Sequence, residues 1–253
     1  MSQPTIVAAN CGPWIVGRTP NPLASLRLFC LPYAGGSSLI FRAWSNALPA
    51  DIELCPIQLP GRSTRLRERP FTEMPALLEV LAPALSSLLD KPFAIFGHSL
   101  GALIGFELTR QLRRQFGLNP VRLFVSAALA PQVSRRESSF HNLPAKEFLE
   151  KVRRLNGIPA QVFEHAELMA IMLPMLRADF AIYDTYRYSV EPHLECPISA
   201  FGGLHDSKVS ESDLEPWRDE TTALFSLRML PGDHFFLNTA QPLLLQMIAR
   251  DVR

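Results

Sequence analysis

Ser99, Asp206 and His234 are the residues whose types and order could together carry out nucleophilic chemistry on an acyl group. A serine hydroxyl is a weak nucleophile near neutral pH and needs a base to take its proton, and an imidazole base needs a carboxylate to orient it. Ser99 lies in Gly97-His98-Ser99-Leu100-Gly101, a match to Gly-x-Ser-x-Gly. Alone, that pentapeptide also fits an ordinary turn, so its neighbours decide. Before it stands Phe93-Ala94-Ile95-Phe96, a buried-strand pattern; after it Leu100, Leu103, Ile104, Leu108 and Leu112 recur at helical spacing, with Arg113 and Arg114 in the last turn and Gly117 as a C-terminal cap. A serine at a sharp strand-to-helix turn is held in a strained conformation, and the residues two before and two after pass too close for side chains. Gly97 and Gly101 meet that requirement.

The base and the acid must come from loops that follow later strands. Of the six histidines, His98 sits inside the turn, His141, His165 and His193 fall in a strand-poor interval, and His205 precedes a candidate acid. His234 alone follows the final strand pattern, Phe225 to Leu230. Asp206 follows Pro197 to Phe201. Asp233 is the second choice, because adjacent side chains rarely reach each other's ring nitrogen; Asp213 and Asp219 are also near. The order Ser, Asp, His, each after a strand, is that of an α/β-hydrolase. In that fold a loop after an early strand shares the oxyanion hole with the residue following the nucleophile. Here the loop is Pro32-Tyr33-Ala34-Gly35-Gly36-Ser37-Ser38, and the backbone N–H donors would be Ala34 and Leu100.

The elements that must position these residues alternate along the chain. Strand patterns at Leu26 to Leu31, Ile52 to Ile57, Phe93 to Phe96 and Val121 to Ala127 are separated by helix patterns at Leu39 to Leu48, Thr72 to Leu89 (with Thr72 as N-cap) and the run after Ser99. This predicts a mostly parallel sheet with helices on both faces, whose sites lie at the carboxyl ends of the strands. Trp14-Ile15-Val16 reads as one edge strand in a Pro- and Gly-rich arm, and Leu243 to Val252 as a closing helix. Residues 131–196 carry no strand pattern and must hold helices of their own: Pro144 to Leu155, and Glu164 to Tyr186, bent or divided at Pro174. The second exposes more apolar surface than one core-facing side needs, so it reads either as core or, preferably, as a lid over an acyl-binding pocket. The chain is thus expected to be one domain, 1–253, with a helical lid inserted at 131–196.

Composition closes off other classes. With 47% hydrophobic and 19% charged residues the chain is globular, and a net charge of +1 gives no reason to expect nucleic acid. No apolar run has membrane-spanning length and the first residues lack a signal-peptide pattern, which predicts a cytoplasmic protein. Cys11, Cys30, Cys55 and Cys196 are scattered as buried reduced thiols are, and neither a metal-ligand spacing nor a phosphate-cradling loop is present, so no metal or cofactor is expected. Arg62, Arg65, Arg67 and Arg69 form a basic run that reads as a solvated surface.

The blocks LFCLPYAGGSS, IQLPGR, FAIFGHSLGAL, LPMLRADF, YRY, CPISAFGG and GDHFFL, spread nearly end to end, resemble the type II thioesterases that accompany modular polyketide and nonribosomal peptide synthases. The resemblance implies an α/β-hydrolase with a helical lid that edits, removing acyl groups from the phosphopantetheine arms of acyl or peptidyl carrier proteins. It places the triad on Ser99, Asp206 and His234 and the oxyanion donors on Ala34 and Leu100. It also supplies an acidic partner for the arginine run and leaves the chain expected to act as a monomer. Many members carry Met where this chain has Leu100, and Pro where it has Ser207; a backbone donor is unaffected by the first change, and the second alters a turn more than the chemistry. Two other readings remain at this point: a carboxylesterase or lipase acting on oxygen esters, and a non-catalytic interaction protein, which would be betrayed by a broken triad.

Overall fold

Short apolar runs bounded by Pro, Gly and Asp become six strands in the computed structural model, which describes residues 12–133 and 140–253. They are β1 (Leu26–Leu31), β2 (Ile52–Pro56), β3 (Phe93–His98), β4 (Arg122–Ser126), β5 (Ile198–Gly203) and β6 (Phe225–Leu230). Their order is β2-β1-β3-β4-β5-β6, and every neighbouring pair is parallel. The helices are α1 (Met74–Leu85), α2 (Leu100–Phe116), α3 (Ala145–Arg154), α4 (Ala166–Thr185), α5 (Glu211–Leu214), α6 (Phe236–Thr239) and α7 (Gln241–Asp251).

The strands are apolar on both sides because both sides are covered. Phe29, Phe93, Ile95, Leu123, Val125, Ile198 and Ala200 pack with α1 and α2 in one cluster. The alternate positions Leu28, Cys30, Ala94, Phe96, Phe124 and Phe201 join Phe41, Trp44 and the apolar side of α6 and α7 in another. This period-two division is the geometry of a strand buried on both faces. A third cluster, Phe140, Phe148, Val152, Met169, Met175, Leu176 and Phe180, belongs to the insertion between β4 and β5.

Several expectations are corrected. Trp14 to Val16 makes no strand: Gly12–Trp14 is a turn of 3₁₀ helix, and the pairing reduces to one antiparallel bridge, Ile15 to Ile57. The helix after the glycine-rich loop is a 3₁₀ helix, Ser38–Asn46, capped by the Ser37 hydroxyl. Thr72 does not cap α1, whose N-cap position is Glu73 and whose second residue is Pro75, a residue without the N–H that would need a cap. Pro174 removes one ladder bond without dividing α4, because Met169 before it and Met175 and Leu176 after it are held in the same cluster. Cys30, Cys55 and Cys196 are buried; Cys11 and residues 134–139 of the insertion lie outside the described residues.

Between β3 and α2 the chain turns at Ser99, where φ is 53° and ψ −117°. The strained residue is fastened to the next strand by its N–H, which donates to the Ser126 carbonyl at 2.7 Å. A Cβ on Gly97 would lie 2.1 Å from the Gly101 carbonyl oxygen, and one on Gly101 would lie 2.3 Å from that of Leu31. Both obstacles are backbone, so neither can rotate aside. Gly101→Ala is therefore expected to lose more than about 3 kcal/mol of stability, measured by urea unfolding; a variant within about 1 kcal/mol of the parent would show that the backbones can separate.

Candidate active site

Four loops at the carboxyl ends of β1, β3, β5 and β6 converge on one cavity of about 380 Å³. Ala34, Ser99, Leu100 and His234 line it from the sheet side; Phe140, Val152, Phe180 and Tyr183 line it from the insertion. Every residue selected from the sequence for the site, Asp206 excepted, thus reaches this wall, and Asp206 stands directly behind it. Its Oδ2 accepts a hydrogen bond from Nδ1 of His234 at 2.7 Å. An ionised carboxylate only accepts, so Nδ1 carries a ring proton and Nε2 is the nitrogen turned away from Asp206.

Asp206 is built to stay charged. Burial of its carboxylate would raise its pKa, but the bond and charge of His234 and the N–H groups of Lys208 and Val209, which donate to Oδ1 at 2.7 and 3.2 Å, outweigh burial and hold it below the ordinary value. Asp233 is occupied elsewhere: its Oδ1 accepts the Phe235 N–H at 2.8 Å. Asp213 closes a capping box with Ser210. Of the two candidates, Asp206 is the one hydrogen-bonded to His234.

His98, set aside as a candidate base, holds the His234 loop in place. Its ring is fully buried, with Nε2 2.8 Å from the carbonyl oxygen of His234 and Nδ1 2.9 Å from Oγ of Ser126. A carbonyl only accepts, so the proton is on Nε2 and the Ser126 hydroxyl donates to Nδ1. Burial, with His234 close by, pushes the His98 imidazole down to about 3, and it stays neutral at any ordinary pH. Tyr33, Phe235 and Phe236 pack around His98 and His234 with ring centroids between 5.0 and 6.3 Å apart. The signal available in the sequence was a histidine flanking Ser99 at the end of an apolar strand, where its ring would be buried and need protein partners.

The arginine run is not the solvated surface expected. Arg62 and Arg65 are only 4% and 5% exposed: the first is paired with Asp179 of α4, and the second with Glu68 and stacked over the Trp14 ring. Arg67 and Arg69 alone are exposed. Among the described residues no cluster of three or more His, Cys, Asp or Glu could hold a metal ion, and no helix is long and apolar enough to cross a membrane.

The chain is similar to known thioesterases. The family model for the thioesterase domain matches residues 26–252. The gramicidin S biosynthesis protein GrsT of Aneurinibacillus migulanus is 45% identical over 95% of this chain and 94% of its own length. Thioesterase PikA5 of Streptomyces venezuelae is 36% identical over 90% of this chain and 82% of its own. The structure of the type II thioesterase BorB from the borrelidin biosynthetic cluster superposes with a TM-score of 0.86 at 36% identity, covering 95% of this chain and 98% of that one.

His98 has a consequence for stability. Its folded pKa lies below the ordinary 6.5, so the unfolded chain takes up a proton that the folded one refuses, and stability is lost as pH falls from 6.5 towards about 3. Asp206 also loses stabilisation on acidification, but only below the ordinary carboxyl value of 3.8. Between pH 6.5 and 4 the unfolding constant of the parent, relative to His98→Gln, is expected to rise by about tenfold per pH unit. Urea titrations at a series of pH values measure this, and a constant ratio would mean that His98 is charged in the folded protein.

Proposed function

The chain belongs to the thioesterase family, and on that premise we propose that it edits polyketide or nonribosomal peptide assembly by hydrolysing acyl thioesters on the phosphopantetheine arms of acyl or peptidyl carrier proteins. The observation that carries the reading is the Asp206–His234 hydrogen bond behind a cavity that His234 shares with Ser99. The pathways named for GrsT and BorB support the substrate class.

In this mechanism Nε2 of His234 takes the Ser99 proton as Oγ bonds to the thioester carbonyl carbon. The negative charge that develops on the carbonyl oxygen is met by the N–H groups of Ala34 and Leu100, the latter in the first turn of α2, where N–H groups have no partner within the helix. The carbon–sulfur bond breaks, the pantetheine sulfur leaves as a thiol with the proton from His234, and an acyl-serine remains. Water, deprotonated by His234, attacks that ester and releases the acid, returning the proton to Ser99. Asp206 keeps the Nδ1–H tautomer and stabilises the imidazolium formed in each half of the cycle. The arm is substrate, and no step calls for a metal or organic cofactor. The insertion acts as a lid whose apolar underside receives the acyl chain. Of the basic run, Arg67 and Arg69 are the side chains free to meet an acidic carrier.

Purified protein is expected to release free acid from acyl-loaded carrier protein, Ser99→Ala to abolish the release, and Asp206→Asn to lower kcat by about 10³- to 10⁴-fold. Parallel assays with acyl carrier, acyl-CoA and simple oxygen esters test the substrate class. Unchanged turnover by Ser99→Ala would remove Ser99 from the mechanism, and a clear preference for oxygen esters would identify an esterase.

A further inference from the structure

We propose that Asp179, on the lid helix α4, is a positioning residue for the oxyanion hole, so that the hole is assembled by the insertion as well as by the sheet. The inference rests on the reading of Ala34 as an oxyanion donor. Oδ2 of Asp179 accepts the N–H of Gly35 at 2.7 Å and Nη1 of Arg62 at 2.7 Å, while Oδ1 accepts Nη2 of Arg62 at 2.6 Å. Nη1 of Arg62 also donates to the Gly36 carbonyl at 3.0 Å. One buried ion pair, with side chains 4% and 2% exposed, therefore grips the loop on both sides of the Gly35–Gly36 peptide.

The Ala34 N–H is aimed by the turn that this pair grips. In a trans peptide the N–H and C=O point in opposite directions. The carbonyl of Tyr33, in the same peptide as the Ala34 N–H, turns inward to accept the Gly36 N–H at 2.8 Å. The Ala34 N–H is thereby turned outward from the loop, and Ala34 lines the cavity. The next peptide is locked by Asp179 through Gly35. Gly35 has φ +80°, and a Cβ there would meet Leu176 Cδ2 at 2.6 Å. Leu176 and Asp179 are three residues apart on α4 and so share a side of the helix, which is seated directly on this glycine. Arg62 is braced from beneath: its Nε donates to the Pro60 carbonyl, and Gln58, which accepts both the N–H and the hydroxyl of Ser38, donates to the Arg62 carbonyl.

A buried ion pair is a weak device for stability, since a well-packed apolar pair of similar volume serves as well or better. It does supply directional acceptors and donors in a buried region. The lone pairs of Asp179 are spent on one guanidinium and on the single N–H that follows the oxyanion donor. A carboxylate used only to neutralise Arg62 would have no need of Gly35.

The test separates positioning from stability. The double variant Arg62→Met/Asp179→Leu is expected to unfold within a few degrees of the parent, yet to lose about 10²- to 10³-fold in kcat with KM changed less than threefold, the loss associated with one oxyanion donor. Affinity for a trifluoromethyl ketone, which forms an oxyanion on Ser99, should fall by the same factor. Asp179→Asn, which keeps an acceptor for Gly35, should recover most of kcat, and it guards against a double variant that does not fold. A folded double variant with parental kcat and ketone affinity would overturn the inference, as would an Asp179→Asn variant no better than Asp179→Ala. If Ser99→Ala is inactive while the Asp179 variants are fully active, this inference alone falls; if Ser99→Ala retains activity, the oxyanion reading and this inference fall together.

Discussion

The structure depends on the approach of three backbones at the Ser99 turn. Gly97 at the end of β3, Gly101 in the first turn of α2 and the Leu31 carbonyl at the end of β1 come so near that no side chain fits between them. That contact brings the glycine-rich loop after β1 alongside Ser99 and forces the strained backbone that lifts the serine above the sheet. The cost of the strain is met by the sheet itself: β3 is central, paired with β1 and β4, and its residues from Phe93 to His98 are buried.

Charges inside the protein follow a common plan in which a guanidinium ties together elements distant in sequence. Arg27 joins β1 to Glu53 of β2 and to the Leu88 carbonyl. Arg110 of α2 pairs with Glu107 and reaches the Ser189 carbonyl, while Glu107 accepts the Tyr186 hydroxyl, which fixes the exit of α4 against α2. Arg62 and Asp179 do the same at the other side of α4. A planar guanidinium with five donors suits such joints, because it can satisfy a carboxylate and carbonyls at once. The insertion is thus held to the frame by directional bonds at Asp179 and, two turns on, at Tyr186 just past the end of its long helix, with Ile182 packed into the core between them.

The strands were legible to within a residue or two because strands covered on both faces read as unbroken apolar runs, and α2 because Gly97, Gly101 and Gly117 punctuate it. The pairing of Asp206 with His234 followed from loop order alone. Two kinds of information were hidden. Local geometry was one: the 3₁₀ character of Ser38–Asn46 and the lone bridge at Ile15 depend on packing, and the periodicity of nine residues does not distinguish 3₁₀ from α. The other was long-range polar pairing. Arg62 and Asp179 are 117 positions apart, and His98 and His234 are 136 apart, so nothing near either residue announces its partner. An arginine in a basic run looks solvated until its carboxylate is known. Asp179, set among Met175, Leu176 and Phe180, was the stronger clue, since an acid on an apolar helix side requires a partner.

The distribution of the site along the chain also orders its assembly in time. A growing chain that has passed β3 already contains the serine and the loop beside it, and β4 can fasten the serine's N–H through Ser126. The imidazole arrives only with the loop after β6, and that loop is packed in place by Phe236, Leu237, Leu244, Leu245 and Ile248 of α6 and α7. On the roles proposed for Ser99 and His234, a molecule that ends before β6 would hold the serine without its base. Under that proposal hydrolysis is confined to molecules in which the sheet is complete.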